Sequence, residues 1–448
     1  MTDSAHDDNC RVAVAPGSAD SPKPLTRREL WLLFAAAAAL QFMAWAFVLS
    51  VLRRIVPPLW ESASPDVARY AYIAESIRRG SWPYAQFQFE YPPLTLIPLL
   101  IPFHSATVAA YAREFRIEML AVFTLTALTT TWAAVRLWGT LGRPLAAAAA
   151  FAAAVVASGM IGLNRFDGTV AFVVALCVLC LAYRRWALAG LMVGMGFSLK
   201  LMPIVLLPLV LVLARRWRLV WWATLAAAAG AVIPFLPFVA RDPGRFWASL
   251  VGGQTARGLQ IESVAASPFL LRDVLQPGSV TVVVPPGGSM SILAAGAQVA
   301  NTLAPLTVLV LTMVVYLVVW RVRGALRADA EAVPVAVLAL MLAAMCGNKV
   351  LSPQHMIWVL PVVALALVAK RPSFRVPAAI AFVATILTQL EYPGMYMSLM
   401  HLEHTAILVI AARNLLLVGA LVAALVVLWR LQRDDQAVAA APAADTPA

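Results

Sequence analysis

The chain has 448 residues, of which 62% are hydrophobic and 12% charged, with a mean hydropathy of +0.82 and a formal net charge of +12. A soluble domain carries about a quarter of its residues as charges, so this composition excludes a soluble globular protein. The positive excess accompanies no nucleic-acid motif; it reads as arginine that orients membrane helices, and no DNA or RNA partner is expected.

Residues 1–25 are polar and contain Pro and Ser, which predicts a disordered cytoplasmic leader. No short apolar core with a cleavage site follows, so the leader is not a signal peptide. TRREL (26–30) gives a positive flank to a first span over 30–51, which puts the N-terminus in the cytoplasm. About 20 apolar residues at a rise of about 1.5 Å cross the hydrocarbon core. By that measure further apolar segments cover 91–110, 115–136, 144–163, 168–183, 187–214, 219–240, 303–322, 332–346, 353–370, 376–395 and 405–429. The fold class is therefore an all-α polytopic membrane protein of about 11–13 transmembrane segments. Its membrane domain covers 26–433, interrupted by two long loops at 52–90 and 241–301. The second loop holds RDPGRFW, GGQ, QPGSV and a β-like VTVVVPP, which predicts irregular structure. Residues 434–448 are Ala- and Pro-rich and read as a disordered cytoplasmic tail.

Charge sets the sidedness. AYRRW, ARRWR, RVRGALR, KRPSFR and WRLQR read as cytoplasmic. Segment 187–214 must then leave from and return to the cytoplasm, as two half-helices meeting near Lys200–Pro203. Both long loops, NRFDG (164–168) and GNKVLSPQH (347–355) fall outside. Parity holds only if one early segment fails to span, and 91–110, with Pro92, Pro93, Pro98 and Pro102, is the choice, because proline removes backbone donors.

Within this frame a few polar residues interrupt apolar sequence. Only Lys200 and Lys349, of four lysines, sit where apolar segments break; Lys23 and Lys370 flank spans. A charge at membrane depth costs roughly 2.5–3.5 kcal/mol on insertion scales, so such lysines have a partner: an anionic ligand, a structural carboxylate, or the interface reached by snorkelling. Gln354 and His355 stand beside Lys349 in LSPQH. Arg165 and Asp167 in NRFDG either pair locally or serve a ligand. In the first loop Val67, Tyr70, Ile73, Ala74 and Ile77 recur at helical spacing, with Ser64 as N-cap, Pro65 in the first turn and Gly80 as terminator. That is an amphipathic helix on the outer membrane surface. Asp66 projects from its first turn, either to complement the helix dipole or to act on a ligand. Glu90 and Tyr91 precede a Pro-Pro turn. Cys177 and Cys180 form CVLC without a second pair, so small core residues are expected rather than a redox or metal site.

The order of these pieces resembles one family. An Asp at the start of a first-loop helix, GSWPY, FEYPPL, AG…GMGFSLKLMP and NKVLSPQHMIWVLP together are similar to glycosyltransferase family 87 of the GT-C class, the actinobacterial polyprenol-phosphate-mannose-dependent α-mannosyltransferases. The resemblance spans most of 28–430 and departs at GLNRFDG, where many relatives carry Gly-Gln-x-Asn; this bears on acceptor or sugar choice. It implies a GT-C-like bundle in the bacterial plasma membrane with an outer-face active site. It also implies inverting transfer of a sugar, mannose above all, from a polyprenyl-phosphate donor to a lipid-linked or cell-envelope glycan. By that resemblance Asp66 is the catalytic base. Lys349, His355, Lys200 and Arg165 are the cations available to the donor phosphate, and Glu90, Tyr91, Gln354 and Asp167 shape the sugar pocket. Expected partners are the donor, the acceptor and membrane lipids. No cofactor is implied, and the sequence shows no metal-ligand cluster while leaving a divalent ion open. A lipid or sugar transporter without covalent chemistry is the rival reading; it predicts an internal repeat, which the chain does not display.

Overall fold

The computed structural model describes residues 25–52, 54, 65–284 and 289–440, with side chains as far as residue 431. Among these, eight helices are long and apolar enough to cross a membrane: 27–52, 108–138, 142–163, 217–241, 297–321, 330–347, 372–394 and 404–431. Four shorter apolar helices, 167–182, 186–200, 202–213 and 353–367, complete the bundle. The chain is an all-α polytopic membrane protein, as its composition predicts.

Local chemistry sets the helix starts. Thr26 caps the first span in a reciprocal capping box, its hydroxyl accepting from Glu29 N at 3.3 Å while the Glu29 carboxylate accepts from Thr26 N at 2.7 Å. Thr107 caps Val108–Trp138, accepting from Ala110 N at 3.1 Å, and Gly139, at φ 63°, closes that helix in the left-handed conformation. This span begins well before the 115 expected from hydropathy. The stretch before it forms no span: after a 3-10 turn at Pro93–Thr95 comes only the five-residue helix Leu96–Leu100. The proline-rich 91–110 segment is thus the one that fails to cross, and the parity of the remaining spans closes.

The 187–214 segment is broken as expected. Helix Trp186–Lys200 stops at Leu201, and a 3-10 turn at Met202–Leu206 leads into Leu207–Leu213. Its first arm packs closely on Trp217–Val232. Gly190 and Gly194 lie against the carbonyls of Ala223 and Ala227, and any Cβ there would collide with those backbones. This is a small-residue crossing of the kind membrane helices use when lipid supplies no hydrophobic drive between them. Helix Val333–Gly347 is buried along its whole length, making it the centre of the bundle.

Turns tie together at one end. Arg143 Nη1 donates to Val368 O at 2.6 Å, Arg184 Nη2 to Arg327 O at 3.5 Å, and Arg371 pairs with Asp329 at 3.3 Å. The opposite end gathers helix Pro65–Arg78, the break at 164–166, the Lys200 break, residues 242–284 and 289–296, the 348–355 stretch and the turn at 390–403.

Two expectations need correction. Residues 241–301 are not irregular: helices Pro243–Thr255 and Ser267–Leu275 precede an antiparallel hairpin of Val280–Val283 with Ser291–Ala294, Val280 facing Ala294. Asp242 caps the first of these, accepting from Arg245 N at 2.9 Å, so RDPG marked a helix start rather than a loop. The final helix runs to Ala440, so 434–440 are helical where an unstructured tail was expected; 441–448 lie outside the described residues. Residues 1–24 and the cap position Ser64 also lie outside them.

Candidate active site

The first-loop helix forms over Pro65–Arg78, ending before Gly80 at φ 87°. It turns Val67, Tyr70, Ile73 and Ala74 inward. Burying an aliphatic side chain such as Val67 or Ile73 contributes roughly 1.5–3 kcal/mol, which fixes the rotation of the helix and so the direction of its polar residues. Asp66, in the first turn, forms an ion pair with Arg165. Arg165 comes from the break between the 3-10 turn Gly159–Leu163 and helix Asp167–Ala182. The two expected roles of Asp66, dipole partner and site carboxylate, are compatible in this position.

Asp167 does not pair with Arg165. Its Oδ1 accepts from Trp358 Nε1 at 2.7 Å and lies 3.6 Å from Lys200 Nζ. Lys200 Nζ also sits over two rings, 4.5 Å from the centroid of Phe166 and 5.1 Å from that of Tyr91, both favourable cation–π placements. The break at Leu201 is what lets an intramembrane helix end on this lysine. His355 packs its ring 4.3 Å from that of Trp358, and its Nδ1 has no hydrogen-bond partner among the described residues. Lys200, Arg257, Arg413 and Arg165 all act electrostatically on His355, so the imidazole stands in a cationic field.

Glu90 is buried and bridges two arginines, Arg69 at 3.0 Å and Arg257 at 3.2 Å. Its segment is held by Ser249, whose Oγ accepts from Phe89 N at 2.9 Å. Burial raises the Tyr91 hydroxyl above its usual range, so it stays a neutral phenol. Lys349 donates to the carbonyl of Arg257 at 2.7 Å, and burial, with Arg257 nearby, lowers its pKa. Gln260 holds the same stretch, accepting from Leu351 N at 2.7 Å and donating to Ser352 Oγ at 2.9 Å. Gln354 is half-buried on that turn.

Asp66, Arg165, Glu90, Tyr91, Lys200, Asp167 and His355 thus converge at one end of the bundle, with Lys349 joined through Arg257. Sequence reasoning missed Arg69, Arg257, Glu262, Glu391, Tyr392 and Arg413. Glu391 and Arg413 lie inside apolar runs, and the criterion that singled out Lys200 applies to them equally. Arg257 and Glu262 were hidden in the stretch read as irregular loop. Among the described residues no group of three or more His, Cys, Asp or Glu side chains is placed to hold a metal ion. A cavity of about 340 Å³ lies on the other face of helix Pro65–Arg78, against Phe103 and Tyr111. It contains none of the paired charges above, so the site is defined by convergent charge rather than by that groove.

The model of glycosyltransferase family 87 matches residues 89–298. The chain resembles glycosyltransferase family 87. The matched stretch carries Glu90, Tyr91, Arg165, Asp167, Lys200 and Arg257; Asp66 and the 347–361 stretch lie outside it. No curated protein matches the chain. Two crystal structures of ArnT from Cupriavidus metallidurans are similar at 15% identity, covering 92% of this chain and 79% of theirs. The one bound to undecaprenyl phosphate gives a TM-score of 0.46 and the apo one 0.44. The eight long apolar helices describe a multi-pass membrane protein.

Proposed function

We propose that this chain transfers a sugar, mannose in the reading its resemblance favours, from a polyprenyl-phosphate donor to a hydroxyl of a lipid-linked or cell-envelope glycan. The reaction takes place at the outer face of a bacterial plasma membrane. The observation that carries the proposal is the Asp66–Arg165 ion pair at the end of the bundle where Lys200 and Arg257 also converge.

The chemistry follows from that arrangement. Cations (Arg69, Arg165, Arg257, Lys200, Lys349, Arg413) outnumber the carboxylates they face (Asp66, Glu90, Asp167 and the Glu262–Glu391 pair), a surplus suited to a phosphodiester. A donor phosphate competes with Asp66 for the Arg165 guanidinium, whose fork of N–H groups fits phosphate oxygens. Asp66 is then free to accept the proton of the acceptor hydroxyl as its oxygen attacks the anomeric carbon. The bond from that carbon to the phosphate oxygen breaks, and its electron pair leaves with the polyprenyl phosphate. Arg165 and Lys200 stabilise the charge that grows there. The phosphate needs no protonation to leave, so one carboxylate suffices. Glu90, Tyr91, Asp167 and Gln354 shape the sugar side; His355, with no hydrogen-bond partner at Nδ1 among the described residues, is a further donor toward the phosphate.

The test is incubation of the purified full-length chain with a panel of radiolabelled polyprenyl-phosphate sugars and a membrane lipid extract. Labelled glycan from one donor, mannose first, is expected. Folded protein that yields no labelled product from any donor contradicts the proposal.

A further inference from the structure

Helix Pro243–Thr255 is not one of the spans, yet one of its faces is built for lipid. Only Asp242 separates it from the end of the 217–241 span at Arg241. The helix then folds back on that span rather than leading away from it. Its Phe246 ring lies 5.7 Å from the ring of Phe235 and 4.7 Å from that of Tyr84, and Tyr84 stands 5.2 Å from Phe238. Phe235 lies about 9 Å inside the end of the span, at a rise of about 1.5 Å per residue. The helix therefore runs at the depth of the last turns of a membrane-crossing segment. Those turns are uncovered at Val232, Ile233 and Leu236, so lipid reaches this depth. Trp82 packs on Phe238 at 5.9 Å, and aromatic rings gather at this level as they do where a bilayer meets water.

The two faces of the helix differ. Inward, Phe246, Ser249, Leu250 and Gly253 are buried. Ser249 Oγ accepts from Phe89 N at 2.9 Å and donates to Phe89 O at 3.1 Å, and Gln254 Nε2 donates to Glu90 O at 3.3 Å. A Cβ on Gly253 would stand 3.1 Å from that of Glu90, so the helix lies directly on the Glu90 backbone. Outward, Trp247 is 50% exposed and Val251, one turn on, 48%. No charged residue occurs from Phe246 to Thr255, while Arg241 and Arg245 stand exposed at the start. We infer that Pro243–Thr255 is an interfacial helix: Trp247 and Val251 enter the leaflet at the site's end of the bundle and contact phospholipid, while the other face holds the Glu90 segment. An apolar face with arginines at its edge is the composition that sinks about 5–10 Å into the boundary between headgroups and acyl chains. The segment carrying Glu90 and Tyr91 is thereby tied to the bilayer surface. The inference goes beyond the proposed transfer reaction and does not depend on it.

The test places the photoreactive residue p-benzoylphenylalanine at Trp247 or at Val251 of the full-length chain in bacterial membranes. The same residue in place of Trp221, exposed on the 217–241 span, gives the yield of a lipid-facing position. Both outer positions are half-exposed, so the probe ring displaces no packed core. After irradiation the intact mass of the purified chain is measured. Phospholipid adducts at both positions, at yields within about fivefold of that at Trp221, are expected of a face sunk in the leaflet. A lower yield at either position overturns the inference, because the face then meets water. Cross-links from Trp247 or Val251 to a second copy, or to another segment of the same chain, overturn it as well, because protein then covers the face.

Discussion

Glu262 stands in a loop, wholly enclosed, with Glu391, Arg413, Arg165, Tyr392 and Tyr396 around it. Burial pushes its carboxyl from the ordinary 4.5 up to about 7, with Arg413 and Arg165 opposing the rise. The unfolded chain loses this proton near the ordinary value, the folded chain only near the raised one. Between the two the folded state binds the extra proton, so stability is higher at the acid end of that window and falls as pH rises through it. Thermal unfolding in detergent should therefore give a higher midpoint at about pH 5.5 than at about pH 8, and Glu262→Gln should flatten the difference. A midpoint that rises with pH in wild-type protein, or an unchanged slope in the variant, contradicts the assignment. The other carboxylates obey the same constraint differently. Asp66, Glu90 and Asp167 each have a cation beside them, which offsets a desolvation cost of several kcal/mol per ion. The individual charges were legible in the sequence, because a lysine or aspartate at a break in apolar sequence is conspicuous. Their pairings were not. Asp66 comes from the first-loop helix and Arg165 from a break between two later elements, and nothing in NRFDG says that Arg165 turns away from Asp167, two residues on, toward a residue far earlier in the chain.

At the scale of elements, the position of Lys200 depends on how its helix is held. Gly190 and Gly194 let helix Trp186–Lys200 sit directly on the Ala223 and Ala227 carbonyls, and the end of that helix is Lys200 itself. A methyl at either glycine has no space, so Gly194→Ala forces the helices apart. Overpacking of this kind costs typically about 1–3 kcal/mol. The variant should unfold at lower temperature and also lose activity, since Lys200 moves with its helix; unchanged unfolding and turnover would show that the crossing is not a constraint. Spans were the most legible elements, since a run of apolar residues has one physical reading in a membrane protein. The broken segment 187–214 and the failed span 91–110 were also readable, because proline and an interrupting lysine mark both. Residues 241–301 were misread because Gly and Pro signal turns in isolation, yet Asp-Pro and Ser-Pro pairs also start helices. Only the tertiary setting shows which, and with that stretch went Glu262 as well as Arg257, which reaches both Glu90 and Lys349, and Gln260, which holds Leu351 and Ser352.

Across the whole molecule, Arg143, Arg184 and Arg371 tie the turns at one end, and Asp66, Glu90 and Asp167 with their cations mark the other. An even alternation of helices between these ends brings residues from the first loop, two helix breaks, the 241–301 region and the 347–361 stretch to one place. Lys349 and His355 in NKVLSPQH therefore stand in the same neighbourhood as Asp66, although nearly three hundred positions separate them in the chain. Distance in sequence carries no information here; the parity of spans does. The central claim is that this shared end is a transfer site whose base is Asp66. The measurement that tests it most directly is the turnover of Asp66→Asn, a change that keeps size and removes the charge, in protein shown to be folded by its melting behaviour. A positioned general base contributes about 10²–10⁴ in rate, so transfer from polyprenyl-phosphate sugar should fall by that factor. Near-wild-type turnover in the folded variant would contradict the account.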